Sequence, residues 1–252
     1  MKEYVVDAAE VPWRDSQTEG ITFRSQIMLS GADGGPEAFR FRFDPTAKMY
    51  AHMHLTSQFQ LLLGGAMDLP KMKTRPVGLH YTDHNRPYGP FSVSGGHDVL
   101  VLHPKQGGLI SMQSQDARRQ INLQGRELGA MEKDLEWLTV PGFPGVRVKI
   151  YIPRIMGPEA LMIEYPPGMP VWLRAPLNGR YEVVIKGSVS VRGKTLEPPS
   201  LRYVQGDEPV EPVVTGPEGA TLMLCSFDDD AMQGGLDQSI GMEAAEAMAK
   251  AL

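Results

Sequence analysis

The first residues that could do chemistry are His52-Met53-His54, two imidazoles separated by one residue. All six histidines of the 252-residue chain lie between positions 52 and 103, so the metal-binding and acid–base groups are concentrated in one half. On a strand these two histidines point to the same face, about 6.5 to 7 Å apart along the backbone. Neutral imidazole is the commonest protein ligand for transition metals. The pair is therefore a candidate metal site, and two solvent-facing histidines are the alternative.

Strand-like segments surround this histidine pair. Phe39 to Phe43 alternates phenylalanine with arginine, which is typical of a half-buried strand with its aromatic side chains on the core face. Gly64-Gly65 is expected to end the strand that begins near Phe59, and Ser94-Gly95-Gly96 to form a hairpin turn. Runs typical of further strands lie at 50–55, 59–63, 77–84, 91–93, 99–102, 146–152, 161–165, 181–185, 188–191, 200–204 and 221–227.

Composition favours an all-β protein that binds a small molecule. The chain is 42% hydrophobic and 22% charged, as in globular proteins, and its 27 glycines and 21 prolines favour many short strands joined by turns. The net charge of −5 offers no broad basic surface, so nucleic acid is not an expected partner. We expect a small-molecule substrate or ligand instead.

The sequence also predicts where the protein resides. Cys225 is the single cysteine and stands in an apolar strand-like run, so we expect it to be buried and unreactive. No apolar window is long enough to cross a membrane, and the N-terminal residues carry several acidic side chains without an apolar core. A cytoplasmic protein without a membrane partner is therefore expected.

The spacing around the histidine pair resembles the first motif of the cupin superfamily. That motif is a glycine, five residues, H-x-H, three residues, a glutamate, six residues and a glycine. Here Thr46 stands at the first glycine, His52-Met53-His54 at the histidines, Gln58 at the glutamate and Gly65 at the last glycine. The spacing is kept in full, although two of the motif's residue types have changed.

The second cupin motif, P-x-G-x-x-H, is similar to Pro87-Tyr88-Gly89 with Ser92 in place of the histidine. The resemblance implies an antiparallel β-barrel that holds a divalent metal, commonly iron, manganese, nickel or zinc, on three histidines and a glutamate. His52 and His54 match two of these ligands, and Gln58 matches a third in position only. An amide oxygen is a weaker donor than a carboxylate, and a serine hydroxyl is a poor ligand at neutral pH.

Another histidine could supply the missing imidazole. His80 and His84 share one face of a predicted strand before the second motif, and His84 lies nearer to it. We therefore predict His84 as the third imidazole, followed by His80. His97 is interpreted as an exposed turn residue and His103 as a strand-end histidine bound to the backbone.

The neighbouring polar residues are expected to bind the substrate. Arg86 has the fork-shaped geometry that suits a carboxylate. The predicted substrate-binding residues are His80, Arg86, Tyr88 and Gln60. If no metal is present, the polar cavity around His52, His54, Gln58 and Gln60 would bind a small ligand by hydrogen bonds.

A repeat of the spacing predicts a second barrel. Gly168, Arg180 and Gly187 repeat, 122 positions later, the spacing of the first motif, and no histidine stands at the ligand positions. We predict an all-β bicupin with two cupin-type antiparallel β-barrels. Its domains are a site-bearing barrel over 1–115, a helical connector over 116–138, and a degenerate barrel with a short C-terminal helix over 139–252.

Two functions follow from this sequence. The first is a metal-dependent cupin enzyme that acts on a small organic substrate, with dioxygenase or isomerase chemistry. The alternative is a non-enzymatic ligand-binding or sensory bicupin without metal. A homodimer is expected in either case, because cupins commonly dimerise and apolar edge candidates such as 146–152 need to be covered.

Overall fold

A computed structural model describes residues 2–18, 21–112, 119–171, 176–206 and 211–228. The strands are β1 (Lys2–Val6), β2 (Arg14–Thr18), β3 (Ile21–Ser30), β4 (Glu37–Phe43), β5 (Lys48–Met49), β6 (His52–His54), β7 (Gln58–Asp68), β8 (Lys73–Thr74), β9 (Gly78–Thr82), β10 (Phe91–His103), β11 (Leu109–Ser111), β12 (Glu127–Met131), β13 (Leu138–Thr139), β14 (Arg147–Ile152), β15 (Glu159–Tyr165), β16 (Pro170–Val171), β17 (Arg180–Val191), β18 (Lys194–Leu196), β19 (Leu201–Gln205) and β20 (Val213–Ser226). Short 3-10 helices lie at Ala8–Glu10, Ala32–Gly34, Glu132–Asp134 and Arg154–Met156. The prediction of an all-β, antiparallel chain is confirmed for the described residues.

Two nine-stranded sheets carry the fold and share one strand order. One sheet runs β12-β9-β7-β10-β4-β3-β2, and the other runs β1-β19-β17-β20-β15-β14-β13. The glycines of the predicted repeat, Gly65 in β7 and Gly187 in β17, both have positive φ, 69° and 72°. Cross-strand backbone lies against each of them where a side chain would begin, so glycine is required at both places. The repeat in the sequence therefore corresponds to a repeat in topology.

The two sheets belong to two compact units. The N-terminal unit is Val11–Asp134, and the C-terminal unit combines the residues up to Glu10 with those from Leu135 onward. Residues 1–10 are predicted to belong to the first domain, but β1 pairs along its whole length with β19. This pairing provides hydrogen-bond partners for the backbone N–H and C=O groups along one edge of β19. The first strand of the chain therefore completes the C-terminal sheet.

Part of the predicted helical connector is a strand. β12 pairs antiparallel with β9, with Gly129 opposite His80. Met72 packs against Gly129 where a side chain would begin. Edge pairing and the low helix propensity of glycine outweigh the weak helical spacing of this segment. Residues 113–118 of the connector, and the C-terminal helix predicted over 241–252, lie outside the described residues.

A single bulged strand replaces the predicted hairpin. β10 runs without interruption from Phe91 to His103, and β7 likewise continues through Gly64-Gly65. Gly95 and Gly96 have φ of 66° and 73°, and the register of β10 against β7 shifts after Ser94. Such a bulge inserts extra residues without ending the strand. The two glycines therefore lie within one continuous strand.

Each unit has its own apolar core. The core of the N-terminal unit includes Leu62, Met67, Tyr88, Phe91 and Val101. The core of the C-terminal unit includes Val148, Tyr165, Val184, Leu222 and Leu224. Cys225 is fully buried, as expected, and burial raises the pKa of its thiol. No helix within the described ranges has the length and apolar character needed to cross a bilayer.

Candidate functional site

A chamber of about 260 Å³ in the N-terminal unit contains most of the chemistry-bearing side chains. Its polar side is formed by three imidazoles, two amides and a phenol, namely His52, His54, His103, Gln58, Gln60 and Tyr88. Its apolar side includes Phe23, Phe39, Phe41, Phe43, Val99 and Val101. Mostly apolar concave pockets with a few convergent polar groups are the usual form of small-molecule sites.

β6 places His52 and His54 side by side, with ring centres 5.3 Å apart. The Nδ1 atom of His52 lies 2.8 Å from the carbonyl oxygen of Tyr50. A carbonyl can only accept, so Nδ1 carries the proton and Nε2 presents a lone pair in the neutral ring. Burial is the main cause that lowers the pKa of His52, and it favours this neutral form. Burial also lowers the pKa of His54, well below its usual value.

The hydroxyl of Tyr88 lies at the centre of the polar side. Backbone hydrogen bonds in both directions hold Tyr88 beside His52. The hydroxyl donates to His52 Nε2 over 2.7 Å, and it accepts from Gln60 Nε2 over 2.8 Å. His54 Nε2 lies 3.3 Å from the same oxygen. Burial raises the pKa of Tyr88, so the phenol keeps its proton near neutral pH.

A hydrogen-bond chain continues from Gln60 away from the chamber. Gln60 Oε1 accepts from His80 Nδ1 over 2.9 Å, and His80 Nε2 lies 3.5 Å from Glu127 Oε1. This contact with His80 is the largest cause that lowers the pKa of Glu127. His80 was predicted to bind substrate, but it is 1% exposed and lies behind Gln60 rather than in the chamber wall. It orients Gln60 and, through it, Tyr88.

His103 is the third imidazole of the chamber. Its ring centre is 5.3 Å from that of His54, and its Nε2 lies 3.3 Å from Gln58 Oε1. Its Nδ1 lies 2.7 Å from Glu37 Oε2, so a carboxylate fixes the ring instead of the backbone partner that the sequence suggested. Only the pairing of β4 with β10, which sets Glu37 opposite His103, reveals this contact.

His84, the predicted third ligand, is not brought to the chamber. It follows β9 in a turn, and its backbone N–H donates to Ser57 Oγ over 3.1 Å. Ser92, at the second-motif position, is exposed, while its neighbour Phe91 faces the chamber. The alternation of side chains along β10 turns Ser92 away.

Arg86, predicted to bind a substrate carboxylate, also lies outside the chamber wall. Its guanidinium donates to the carbonyl of Leu123 over 3.0 Å and lies 4.0 Å from Glu127. Of the four predicted substrate-binding residues, the structure therefore brings Tyr88 and Gln60 to the chamber.

His97 also lines the chamber, although the sequence indicated an exposed turn residue. It is 1% exposed, because β10 continues through the glycine bulge and carries His97 inside. The glycines before His97 are typical of a turn, but here they form a bulge within a strand.

The donor set has features that suit a divalent cation. The Nδ1 atoms of His52 and His103 are held by a carbonyl oxygen and a carboxylate, respectively, as in metal-ligating histidines. His103 Nε2 lies 3.3 Å from the amide oxygen of Gln58, which can only accept, so a proton on Nε2 or a cation could bridge the two atoms. Among the described residues, however, no three His, Cys, Asp or Glu side chains already form a metal-binding group, and Tyr88 lies between the imidazoles.

The C-terminal unit carries ion pairs at the matching positions. Arg180 and Glu182 stand 122 residues after Gln58 and Gln60, and Glu182 is opposite Arg202 as Gln60 is opposite His80. Arg180 lies 2.8 Å from Glu182. Arg202 in turn donates to Glu3 Oε1 over 2.7 Å. All four of these charged side chains are buried. Breaking such a pair is costly, so this cluster stabilises one arrangement of the unit.

Comparison with known proteins concerns the fold. No protein-family model matches the sequence, and no curated protein is significantly similar to it. A candidate dioxygenase from Nostoc punctiforme is similar in structure, with a TM-score of 0.68 and 13% identity over 94% of this chain and 86% of that chain. A variant of oxalate decarboxylase from Bacillus subtilis has a TM-score of 0.58 and 14% identity over 96% and 80%. Both neighbours are cupin-fold proteins, and the chain therefore has a cupin-like all-β fold.

Proposed function

We propose that the protein is a bicupin enzyme that acts on a small organic molecule in the N-terminal chamber, with a divalent metal held by His52, His54 and His103. The observation that carries this proposal is the convergence of three imidazoles, of which His52 and His103 are buried and have Nδ1 held by a carbonyl oxygen and a carboxylate. The shared strand order of the two sheets supports the bicupin part of the proposal. The similarity to solved structures that include a candidate dioxygenase and oxalate decarboxylases is consistent with an enzyme of this type.

His103 replaces His84 as the third imidazole in this proposal, and Gln58 stays beside the metal as a neutral oxygen donor. Iron, manganese, nickel and zinc are the candidates that the cupin resemblance implies. A bound metal would activate dioxygen or polarise a substrate oxygen. The side chains of the chamber bind and orient the substrate. If His52 Nε2 held a metal, the hydroxyl of Tyr88 would be free to donate a hydrogen bond to a substrate oxygen, and the phenylalanines would keep water away.

A second candidate function is the binding of a small ligand without metal. The observation that favours it is the Tyr88 hydroxyl, which already satisfies His52 Nε2 and Gln60 without an ion. The C-terminal unit has a structural role in both proposals, because buried ion pairs stand at the positions that match Gln58 and Gln60.

Elemental analysis of the purified full chain separates the two functions. We expect roughly one metal per chain, which His52→Ala and His103→Ala abolish and the control His84→Ala leaves in place. Protein that holds no metal even after incubation with Fe²⁺, Mn²⁺, Ni²⁺ or Zn²⁺ would support the metal-free binder. Loss of metal in His84→Ala but not in His103→Ala would restore the ligand set predicted from the sequence.

A further inference from the structure

β4 and β10 form a ladder along one wall of the chamber. Glu37 lies opposite His103, Phe39 opposite Val101, and Phe41 opposite Val99. Both phenylalanines and both valines line the chamber. Because alternate residues of a strand share a face, the polar rung at His103 is followed by two apolar rungs.

His97 is the next residue of β10 on this face. Asp98 faces the other way and pairs with Arg40 over 2.7 Å and with Arg42 over 2.8 Å. The ring of His97 lies 5.3 Å from that of Phe43, which also lines the chamber. His97 and His103 are six residues apart, or about 20 Å along an extended strand. The apolar wall therefore has an imidazole at each end.

Neither ring nitrogen of His97 has a hydrogen-bond partner, although the side chain is 1% exposed. A buried polar group without a partner is unfavourable, and native structures seldom keep one unless a water, an ion or a ligand binds it. Burial lowers the pKa of His97 to about 4, so near neutral pH the ring offers one donor and one acceptor. A hydroxyl or carbonyl oxygen on a ligand would provide the partner that the protein lacks.

We propose that the chamber selects an elongated, mostly apolar molecule with an oxygen-bearing group at each end. One end would lie at the imidazoles of His52, His54 and His103, and the other would bind His97, which is thereby a specificity-determining residue. The inference rests on the proposed function in that the chamber is the substrate site. A cavity of about 150 Å³ binds benzene, so the 260 Å³ of this chamber has room for roughly ten non-hydrogen atoms.

Calorimetric titration of the purified full chain with matched alcohols tests this inference. The probes are octane-diol and decane-diol with terminal hydroxyls, each compared with nonanol or undecanol, in which a methyl group replaces one hydroxyl. In the wild type we expect each diol to bind more tightly than its matched alcohol. This ratio of affinities should be about tenfold larger in the wild type than in His97→Leu, as expected for one buried hydrogen bond. His97→Gln keeps a donor and an acceptor, and we expect it to restore part of the preference. An unchanged preference in His97→Leu, or no binding of any probe, would overturn the proposal.

Two further measurements on His97→Leu, its melting temperature and its metal content, separate ligand selection from a structural role and from metal binding. Because the variant removes an unpaired buried group, the ligand-free protein should melt at the same temperature as the wild type or a few degrees higher. A fall of several degrees would assign His97 a structural role and refute the proposal. The metal content of the variant should equal that of the wild type. A preference for the diol in protein that binds no metal would support this inference and reject the metal enzyme. Protein that binds metal but shows no preference for the diol would support the metal enzyme and reject this inference.

Discussion

Glu37 accepts a hydrogen bond from Nδ1 of His103 over 2.7 Å, across the antiparallel pairing of β4 with β10. The same carboxylate oxygen accepts from the backbone N–H of Gly107 over 3.1 Å. These two bonds hold the carboxylate and the imidazole in one orientation, with Nε2 of His103 directed toward Gln58. Partners of this kind tune the metal affinity of the histidines that they orient.

Replacing the anchor should therefore weaken metal binding while all three imidazoles remain. We expect Glu37→Gln to lower the affinity for the bound divalent metal by about 10 to 100-fold, measured by competition with a chelator. The control is Glu164→Gln, because Glu164 makes a surface ion pair with Arg147 in the C-terminal unit. Equal affinities in Glu37→Gln and the wild type would show that His103 is not a ligand.

A charge added at position 58 should have the opposite effect. Gln58 is fully buried, and its amide oxygen faces His103. Gln58→Glu places a carboxylate there, so we expect divalent-metal binding to tighten by about tenfold or more. Without metal, the same variant should be less stable, because a buried unpaired carboxylate is unfavourable. Unchanged affinity in a metal titration would place Gln58 outside the surroundings of the metal.

The hydroxyl of Tyr88 should contribute to stability in the metal-free protein. Tyr88→Phe leaves His52 Nε2 and the Gln60 amide without their partner. We expect the free energy of unfolding to fall by about 1 to 3 kcal/mol, measured by urea denaturation in the presence of a chelator. Tyr50→Phe is the control, because the Tyr50 side chain is exposed and its contact with His52 uses the backbone carbonyl. Equal losses in the two variants would contradict the central place of Tyr88.

His97 should make the fold sensitive to mild acid. Burial lowers its pKa from 6.5 to about 4, so between these values the unfolded chain binds a proton that the folded chain does not. The free energy of unfolding is therefore fully maintained above about pH 6.5 and falls as the pH decreases toward 4. At about 1.4 kcal/mol per pH unit, the loss amounts to roughly 3 kcal/mol.

Urea denaturation of wild type and His97→Leu across this pH range measures the effect. His52 and His54 also have lowered pKa values and contribute in both proteins, so the variant should lose less stability rather than none. His84→Ala, outside the chamber, is the control. Parallel pH profiles for wild type and His97→Leu would show that His97 does not stay neutral in the folded chain.

A homodimer remains our expectation for the assembly. Ile150 and Ile155 of the C-terminal unit are 39% and 93% exposed, and such apolar side chains suit a two-fold contact. The segment 146–152 itself is paired as β14 with β13 and β15, so an open edge there no longer supports the expectation. Light scattering at micromolar concentration should give twice the 27.8 kDa of one chain. Ile155→Lys should lower that mass if this face is the contact, and a mass near one chain for the wild type would reject the dimer.

The sequence by itself determined the all-β class, the placement of His52 and His54 side by side on one strand, and the repeat that marks two units. These features depend on local alternation and fixed spacing. Short-range patterns also placed Tyr88 and Gln60 near the histidines. The tertiary structure decided the rest. Only the register of β4 against β10 places Glu37 opposite His103. Only the continuation of β10 through Gly95-Gly96 places His97 in the chamber wall, on the same face of the strand as Val99 and Val101.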